Sequence, residues 1–230
     1  MCRRFTAVAL GEVAAVLREL QDDLPASESV GCAGGFAAAG SDKVQVYPGS
    51  CVDVIVRQGE LFVTKQLTWG FPVEWSQRPV YNTRLETAMG PNPGMWEDAI
   101  EHGRCVVLAA SFFESHDTEK ARSPKTGRAV KRQYRFANEG GAPLLLAAVN
   151  DGEHFSVVTT APNAAVASVH NRMPLVLQQD EACWWLNASW PDFVAHWQKL
   201  MNRSALRITA TPEQPELRNK PSNFEQGTLF

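Results

Sequence analysis

From Val52 to Thr160 strand signals follow one another with a single short helix among them, and that order excludes most architectures. Val52, Val54 and Val56 alternate with Asp53, Ile55 and Arg57, and Gly59-Glu60 turns the chain into Leu61-Phe62-Val63. That is a β-hairpin pattern. Trp69-Gly70-Phe71-Pro72 breaks the second strand, and Trp75 follows on a loop. The turn cluster MGPNPG at 89–94 leads through a short helix at 95–101 into a buried strand at 105–110. This strand runs on through Ser111-Phe112-Phe113-Glu114. Further strands are expected at 133–136, 143–149 and 155–160, with a last one at 206–209. Before this region, Val13, Val16, Leu17, Leu20 and Leu24 share one helical face, so a helix is expected over 12–24 with Pro25 as its stop. A loop rich in Gly and Ala occupies 31–40, and two helices are expected at 180–186 and 191–201. No regular βαβ alternation and no glycine-rich phosphate loop appears. The reading is an α+β fold with a mostly antiparallel, barrel-like β core and flanking helices. It forms one domain over residues 1–230, with a polar tail at 211–230.

The chain is mildly acidic, with net charge −3 and pI about 6.0, so overall charge implies no nucleic-acid partner. Any phosphate contact has to come from a local basic patch. The segment 117–132 carries Lys120, Arg122, Lys125, Arg128, Lys131 and Arg132. It reads as a mobile loop between strands, a solvated surface first and a nucleic-acid contact second. The five cysteines (Cys2, Cys32, Cys51, Cys105 and Cys183) are odd in number, irregular in spacing and without a CxxC. That usage fits reduced thiols in the cytoplasm better than a disulfide scaffold or a metal site, so no metal and no cofactor is expected. No signal peptide and no membrane span is read.

The opening residues Met1-Cys2-Arg3-Arg4-Phe5 carry the most distinctive chemistry. Removal of Met1 leaves Cys2 with an α-amine and a thiol on adjacent carbons. Their ordinary pKa values are roughly 7.7–8.0 and about 8.5, and the neighbouring Arg3 and Arg4 are expected to lower both. Such an aminothiol reacts with an aldehyde in two steps. The amine forms a Schiff base, and the thiol then closes a five-membered thiazolidine. The second nucleophile is already in place, an advantage that can reach an effective molarity on the order of 10⁵ M. The plainer alternative is an early residue in a frayed terminus.

Three other segments place polar groups in apolar surroundings. Glu114 ends an apolar strand, where desolvation raises a carboxyl pKa and suits it to acid/base work; otherwise it is a surface residue at a strand end. His170 lies between Val166/Val169 and Met173-Pro174-Leu175. It reads either as a proton-transfer group or as a satisfied packed histidine. In Asn82-Thr83-Arg84-Leu85-Glu86, Arg84 and Glu86 share a face if the segment is a strand. They then pair, or Arg84 holds a phosphate. Glu86 reads as a structural partner, and Asn82 either orients a substrate oxygen or closes a turn.

At these residues the chain resembles the SOS response-associated peptidase (SRAP) family of abasic-site-processing proteins. Family members open with Met-Cys-Gly-Arg-Phe and carry Asn-Ala-Arg-x-Glu, Phe/Tyr-Glu-Trp and His-x-Arg-Met-Pro segments. Here these stand as residues 1–5, 82–86, 112–115 and 170–174. Trp69-Gly70 and Pro48-Gly49 also resemble family positions. The likeness runs in register to about residue 178. It implies the family's fold and autoproteolytic removal of Met1. It also implies a covalent thiazolidine crosslink between Cys2 and the aldehyde of an abasic site in single-stranded DNA, with abasic-site lyase activity alongside. In this picture Glu114 is the acid/base. His170 stabilises the Schiff base or assists its reversal, and Asn82 positions the terminus and the substrate. The implied DNA contacts are Arg4, Pro48, Trp75, Arg84 and Arg172, with Trp75 and Pro48 forming a wedge on which a base stacks. The protein would act as a monomer in the cytoplasm, associated with the nucleoid when bound to DNA. Three departures stand out: Arg3 in place of glycine, Ser115 in place of tryptophan, and Gln45-Val46-Tyr47-Pro48 in place of Asn-x-Ala-Pro.

Two other classes fit the opening residues. One is an amidohydrolase with an N-terminal nucleophile, which would release ammonia from glutamine. The other is a non-enzymatic single-strand-binding module in which Met1 is retained and Cys2 is inert.

Overall fold

The computed structural model describes residues 2–22 and 44–215. Met1, the helix stop at Pro25, the loop at 31–40, Cys32 and the tail beyond residue 215 lie outside the described residues. The chain opens with β1 (Phe5–Ala7), α1 (Leu10–Asp22) and β2 (Gln45–Val46). The strands β3 (Cys51–Gln58), β4 (Leu61–Trp69), β5 (Phe71–Val73), β6 (Ser76–Val80) and β7 (Asn82–Arg84) follow. Next come α2 (Leu85–Ala88), a 3₁₀ turn at Gly94–Trp96 and α3 (Glu97–His102). The long β8 (Arg104–Arg122) and β9 (Ala129–Asn138) precede β10 (Leu144–Asn150), β11 (His154–Thr160) and α4 (Ala164–Ala167). The short β12 (Met173–Pro174) and β13 (Val176–Leu177) lead to α5 (Gln179–Asn187), α6 (Trp190–His196), a 3₁₀ turn at Trp197–Met201 and β14 (Ile208–Pro212).

The expected α+β class and mostly antiparallel β core are present. β3, β4, β11, β10 and β8 pair in a cycle, β8 pairing back to β3. The β4–β11 contact is parallel and only two residue pairs long, whereas the other pairings of the cycle are antiparallel. The sheet is therefore ring-like without being a closed barrel. Burial on both faces explains why β8 reads as a continuous apolar run. Cys105, Val107 and Ala109 alternate with Val106 and Leu108, and the two sets belong to two separate cores. The first core holds Phe5, Trp69, Phe112 and Phe155 inside the ring. Trp69 stacks on Phe155 at 6.2 Å and donates its indole N–H to the Tyr81 carbonyl at 2.8 Å. The second core lies between the sheet and the helices, around Trp185, Phe193 and Leu20.

The terminus is not frayed. β1 is a strand of the sheet, with Phe5 opposite Phe112 on β8 and opposite Val46 on β2. The expected loop at 117–132 is also corrected. β8 continues to Arg122 and β9 begins at Ala129, with Lys120 opposite Lys131, Ala121 opposite Val130 and Arg122 opposite Ala129. Only 123–128 turns, closed by Gly127 at φ +65 and by the Gly127 amide donating to the Ser123 carbonyl at 2.8 Å. The charge density of this segment masks a period of two in which Ala121, fully buried, alternates with exposed Lys120 and Arg122. The possible Arg84–Glu86 strand pair does not form either. The strand stops at Arg84, and Leu85 begins α2.

Gly103 joins α3 to β8 where there is no room for a side chain. An added Cβ would lie 2.0 Å from the Asn150 carbonyl oxygen and 2.9 Å from that of Ala99, both backbone. The Gly103 carbonyl accepts from both the amide and the side chain of Asn150, at 2.8 and 2.7 Å. Gly103→Ala is expected to cost at least the ~1–3 kcal/mol typical of overpacking. Urea denaturation checks this, and an unchanged midpoint would show that the α3–β8 junction yields freely.

Candidate active site around Cys2

The site forms where the residues just ahead of β1, the strands β7 and β8, and the segment after α4 meet, each contributing one of the four residues singled out by chemistry. The β1–β8 pairing, extended by the Phe113 amide donating to the Arg4 carbonyl at 3.1 Å, fixes Cys2 beside the strand that carries Glu114. Cys2 is fully buried, and its thiol lies 3.5 Å from the Arg4 carbonyl. From β7, whose parallel pairing with β11 sets its depth, the Asn82 amide donates to the Cys2 carbonyl at 2.8 Å. Asn82 is itself buried, and its Oδ1 has no hydrogen-bond partner among the described residues.

Glu114 is 3% exposed, and burial pushes its carboxyl up to about 7. Its Oε2 lies 3.8 Å from His170 Nε2. Burial holds the imidazole below its ordinary range. His170 Nδ1 sits 3.1 Å from the Arg172 amide nitrogen and 3.0 Å from the Arg172 carbonyl oxygen. Neutral, the ring accepts from the amide and turns an Nε2 proton toward Glu114. Charged, it donates from Nδ1 to the carbonyl. Both protonation states therefore fit one ring position. α4 sets that position: its Asn163 N-cap accepts from the Val166 amide, and the His170 amide donates to the Val166 carbonyl at 2.9 Å.

One expectation is reversed. The adjacent arginines do not lower the Cys2 thiol. Burial, with the Glu114 carboxylate adding to it, pushes the thiol up to about 12. Arg3 is exposed. The Arg4 guanidinium lies over the Phe113 ring at 3.7 Å and pairs with the Glu213 carboxylate. The sulfur is thus held as a neutral thiol, within electrostatic reach of the Glu114 carboxyl.

The buried cluster opens onto a cleft of about 680 Å³ lined by Arg3, Arg4, Tyr47, Pro48, Arg78, Phe113, Glu114, Ser115 and Gln133. Of the expected DNA contacts, Arg4 and Pro48 line this cleft. Trp75 stands at the tip of the β5–β6 hairpin, 74% exposed. Arg84 is exposed at the end of β7. Arg172 is committed elsewhere, in a two-pronged pair with Glu86 at 2.8 and 2.9 Å and a bond to the Thr159 carbonyl at 2.7 Å. Arg172 thereby ties the His170 segment to α2. Reading the sequence missed Tyr47, Arg78 and Gln133. Tyr47, half-exposed beside Pro48, is an aromatic next to a residue already singled out. Gln133 is reached only through its register opposite Ser115. The three departures are all accommodated: Arg3 and Ser115 face the cleft, and the Gln45 amide donates to the Thr6 hydroxyl at 2.8 Å.

The family model for the SOS response associated peptidase (SRAP) matches residues 1–214. The abasic site processing protein YedK of Escherichia coli (strain K12) is 25% identical over 198 residues, which cover 81% of this chain and 79% of that protein. YoqW of Bacillus subtilis (strain 168), also an abasic site processing protein, is 26% identical over 152 residues, 62% of this chain and 65% of that one. In fold, a phage-related protein of Bordetella bronchiseptica matches with a TM-score of 0.66 at 20% identity, covering 92% of this chain and 93% of that one. A protein from Bacteroides thetaiotaomicron matches at 0.60 with 18% identity, over 92% of this chain and 91% of that one. A family model covering nearly every described residue, with its motif residues gathered at one buried cluster, settles the matter: the chain belongs to the SOS response associated peptidase family.

Proposed function

We propose that this protein processes abasic sites in single-stranded DNA, and that it does so by covalent capture on Cys2 once Met1 has been removed. The observation that carries this reading is the convergence of Cys2, Asn82, Glu114 and His170 in one cluster, of which Glu114 lines a cleft bearing Arg3, Arg4 and Arg78. The relatives' names add the substrate class.

The Cys2 amine attacks C1′ of the ring-opened sugar and gives a carbinolamine. A carboxyl pushed up to about 7 is partly protonated near neutral pH, so Glu114 donates the proton with which water leaves. The thiol then adds to the imine carbon. Its proton goes to the Glu114 carboxylate, which regains the proton spent on the leaving water, and the charged imine's nitrogen takes up the C=N electron pair as the thiazolidine closes. Asn82 holds the Cys2 carbonyl and so fixes the direction of the amine. His170, able to exchange protonation state in place, supports the charged imine stage and its reversal. Removal of Met1 is assigned to the same cluster, and a lyase step would start from the same imine. Arg4, Pro48, Arg84 and Trp75 guide the strand; Arg172 serves by holding the His170 segment in place.

The test mixes the purified protein with single-stranded DNA containing one abasic site, with intact DNA as the control. A band that resists denaturation, needs the abasic site and has the mass of the Met1-free chain plus DNA minus one water is expected. Absence of the band from protein confirmed to lack Met1 would reject the capture chemistry.

A further inference from the structure

We infer that the β8–β9 ribbon at 115–135 is a second DNA contact that follows the single strand out of the cleft. The inference rests on the reading of the cleft as a DNA site and extends it to a surface that the chemistry does not use. At its base the ribbon joins the site directly, since Glu114, Ser115 and Gln133 line the cleft and Ser115 pairs with Gln133. From there it projects to the turn at 123–128. β8 is irregular between Ser115 and Lys120, so β9 sets the length of the ribbon: from Gln133 to Ala129, at about 3.3 Å per residue, it reaches roughly 13 Å, enough to run beside a few phosphates.

Charge identifies the occupant. Residues 117–132 hold six cations against two carboxylates, a local charge of +4 in a chain of net charge −3. Arg132 is held by Glu119 at 2.9 Å, and Lys131 lies 3.6 Å from Asp117. Lys120, Lys125 and Arg128 are exposed and pair with no carboxylate among the described residues. Lys120 also stands directly opposite Lys131 in the ladder, a like-charge arrangement that weakens an isolated hairpin. A polyanion laid along this face removes that repulsion. Ala121, fully buried, points to the other face, so Lys120, Arg122 and Lys131 share the outward face of the ladder, with Lys125 and Arg128 on the turn beyond it. An acidic chain that concentrates positive charge on one arm beside its cleft fits a phosphate backbone arriving at that cleft.

The test replaces three of the ribbon's cations that make no ion pair among the described residues (Lys120→Gln, Lys125→Gln, Arg128→Gln). The control variant removes the same charge from exposed sites elsewhere (Arg18→Gln, Lys65→Gln, Arg207→Gln). Fluorescence anisotropy measures binding of abasic oligonucleotides with short or long single-stranded flanks across a salt series, and thermal melting confirms that both variants fold. Wild type should gain affinity with flank length. The ribbon variant should lose that gain, by about tenfold at low salt, with a log–log salt slope shallower by about 2 (roughly 0.7 per single-strand phosphate contact). The control should behave as wild type. On the short oligonucleotide the ribbon variant should crosslink as wild type does. Equal flank dependence in ribbon variant and wild type would overturn the proposal. So would an equal loss in the control, or a gain seen only with duplex flanks. Failure of the cleft reading looks different: no crosslink from wild type on any oligonucleotide.

Discussion

Cys2→Ala is expected to yield no crosslink that survives denaturation, yet to yield one again when borohydride is present. The substitution removes the thiol and leaves the α-amine, so the Schiff base still forms and still hydrolyses. Reduction fixes that imine as a stable amine. Without the reductant, only ring closure by sulfur makes the bond persist. The alanine side chain is smaller and leaves the Asn82 bond to the backbone carbonyl of residue 2 in place, so the amine keeps its direction. A denaturing gel of wild type and variant, each with and without borohydride, separates the two nucleophiles. A heat-stable band from Cys2→Ala without reductant would show that the thiol is not the closing group.

Glu114→Gln is expected to move activity and stability in opposite directions. Loss of the proton donor and acceptor should slow crosslinking by about 10²–10⁴-fold, the usual contribution of a positioned acid/base group. Stability should rise. The ordinary carboxyl value is 4.5, and burial lifts Glu114 to about 7 in the folded chain. Between those two values the folded protein keeps a proton that the unfolded chain has released. Native stability therefore falls as pH rises through this window, and the deficit is complete above it, on the order of 3 kcal/mol. Glutamine carries no charge to desolvate, so its advantage is largest near pH 8 and vanishes near pH 4. Urea denaturation of both proteins at the two pH values reads it directly. Equal stability at pH 8 would mean that charge pairing within the site, rather than burial, sets the carboxyl.

These two effects are linked. A buried carboxylate is a cost that the core of Phe112, Phe136 and Phe155 has to absorb, and it leaves a carboxyl partly protonated near neutral pH, as the proposed donor role requires.

Local patterns were legible in the sequence wherever one face was apolar. The α1 stripe, the β3–β4 hairpin around Gly59 and the buried run into Glu114 all stand close to where periodicity places them. The ribbon failed that reading because charged residues occupy nearly every outward position, leaving Ala121 as a weak marker of period two. The four chemical residues were legible as types in odd surroundings. Their meeting was not, because Asn82 reaches Cys2 across 80 positions and Arg4 reaches Glu213 across 209. The same limit explains the thiol. Neighbours in sequence suggested two positive charges beside it, whereas neighbours in space supply a carboxylate and a dry pocket.

That dry pocket also governs how the residue ages. Peroxides and alkylating agents consume thiolates rather than thiols. A sulfur held neutral to about pH 12 and shielded from solvent is a poor target for both. The exposed Cys51 offers such reagents an easier encounter. Under the proposed capture chemistry, burial would keep a nucleophile that serves once per molecule in reserve until an aldehyde arrives.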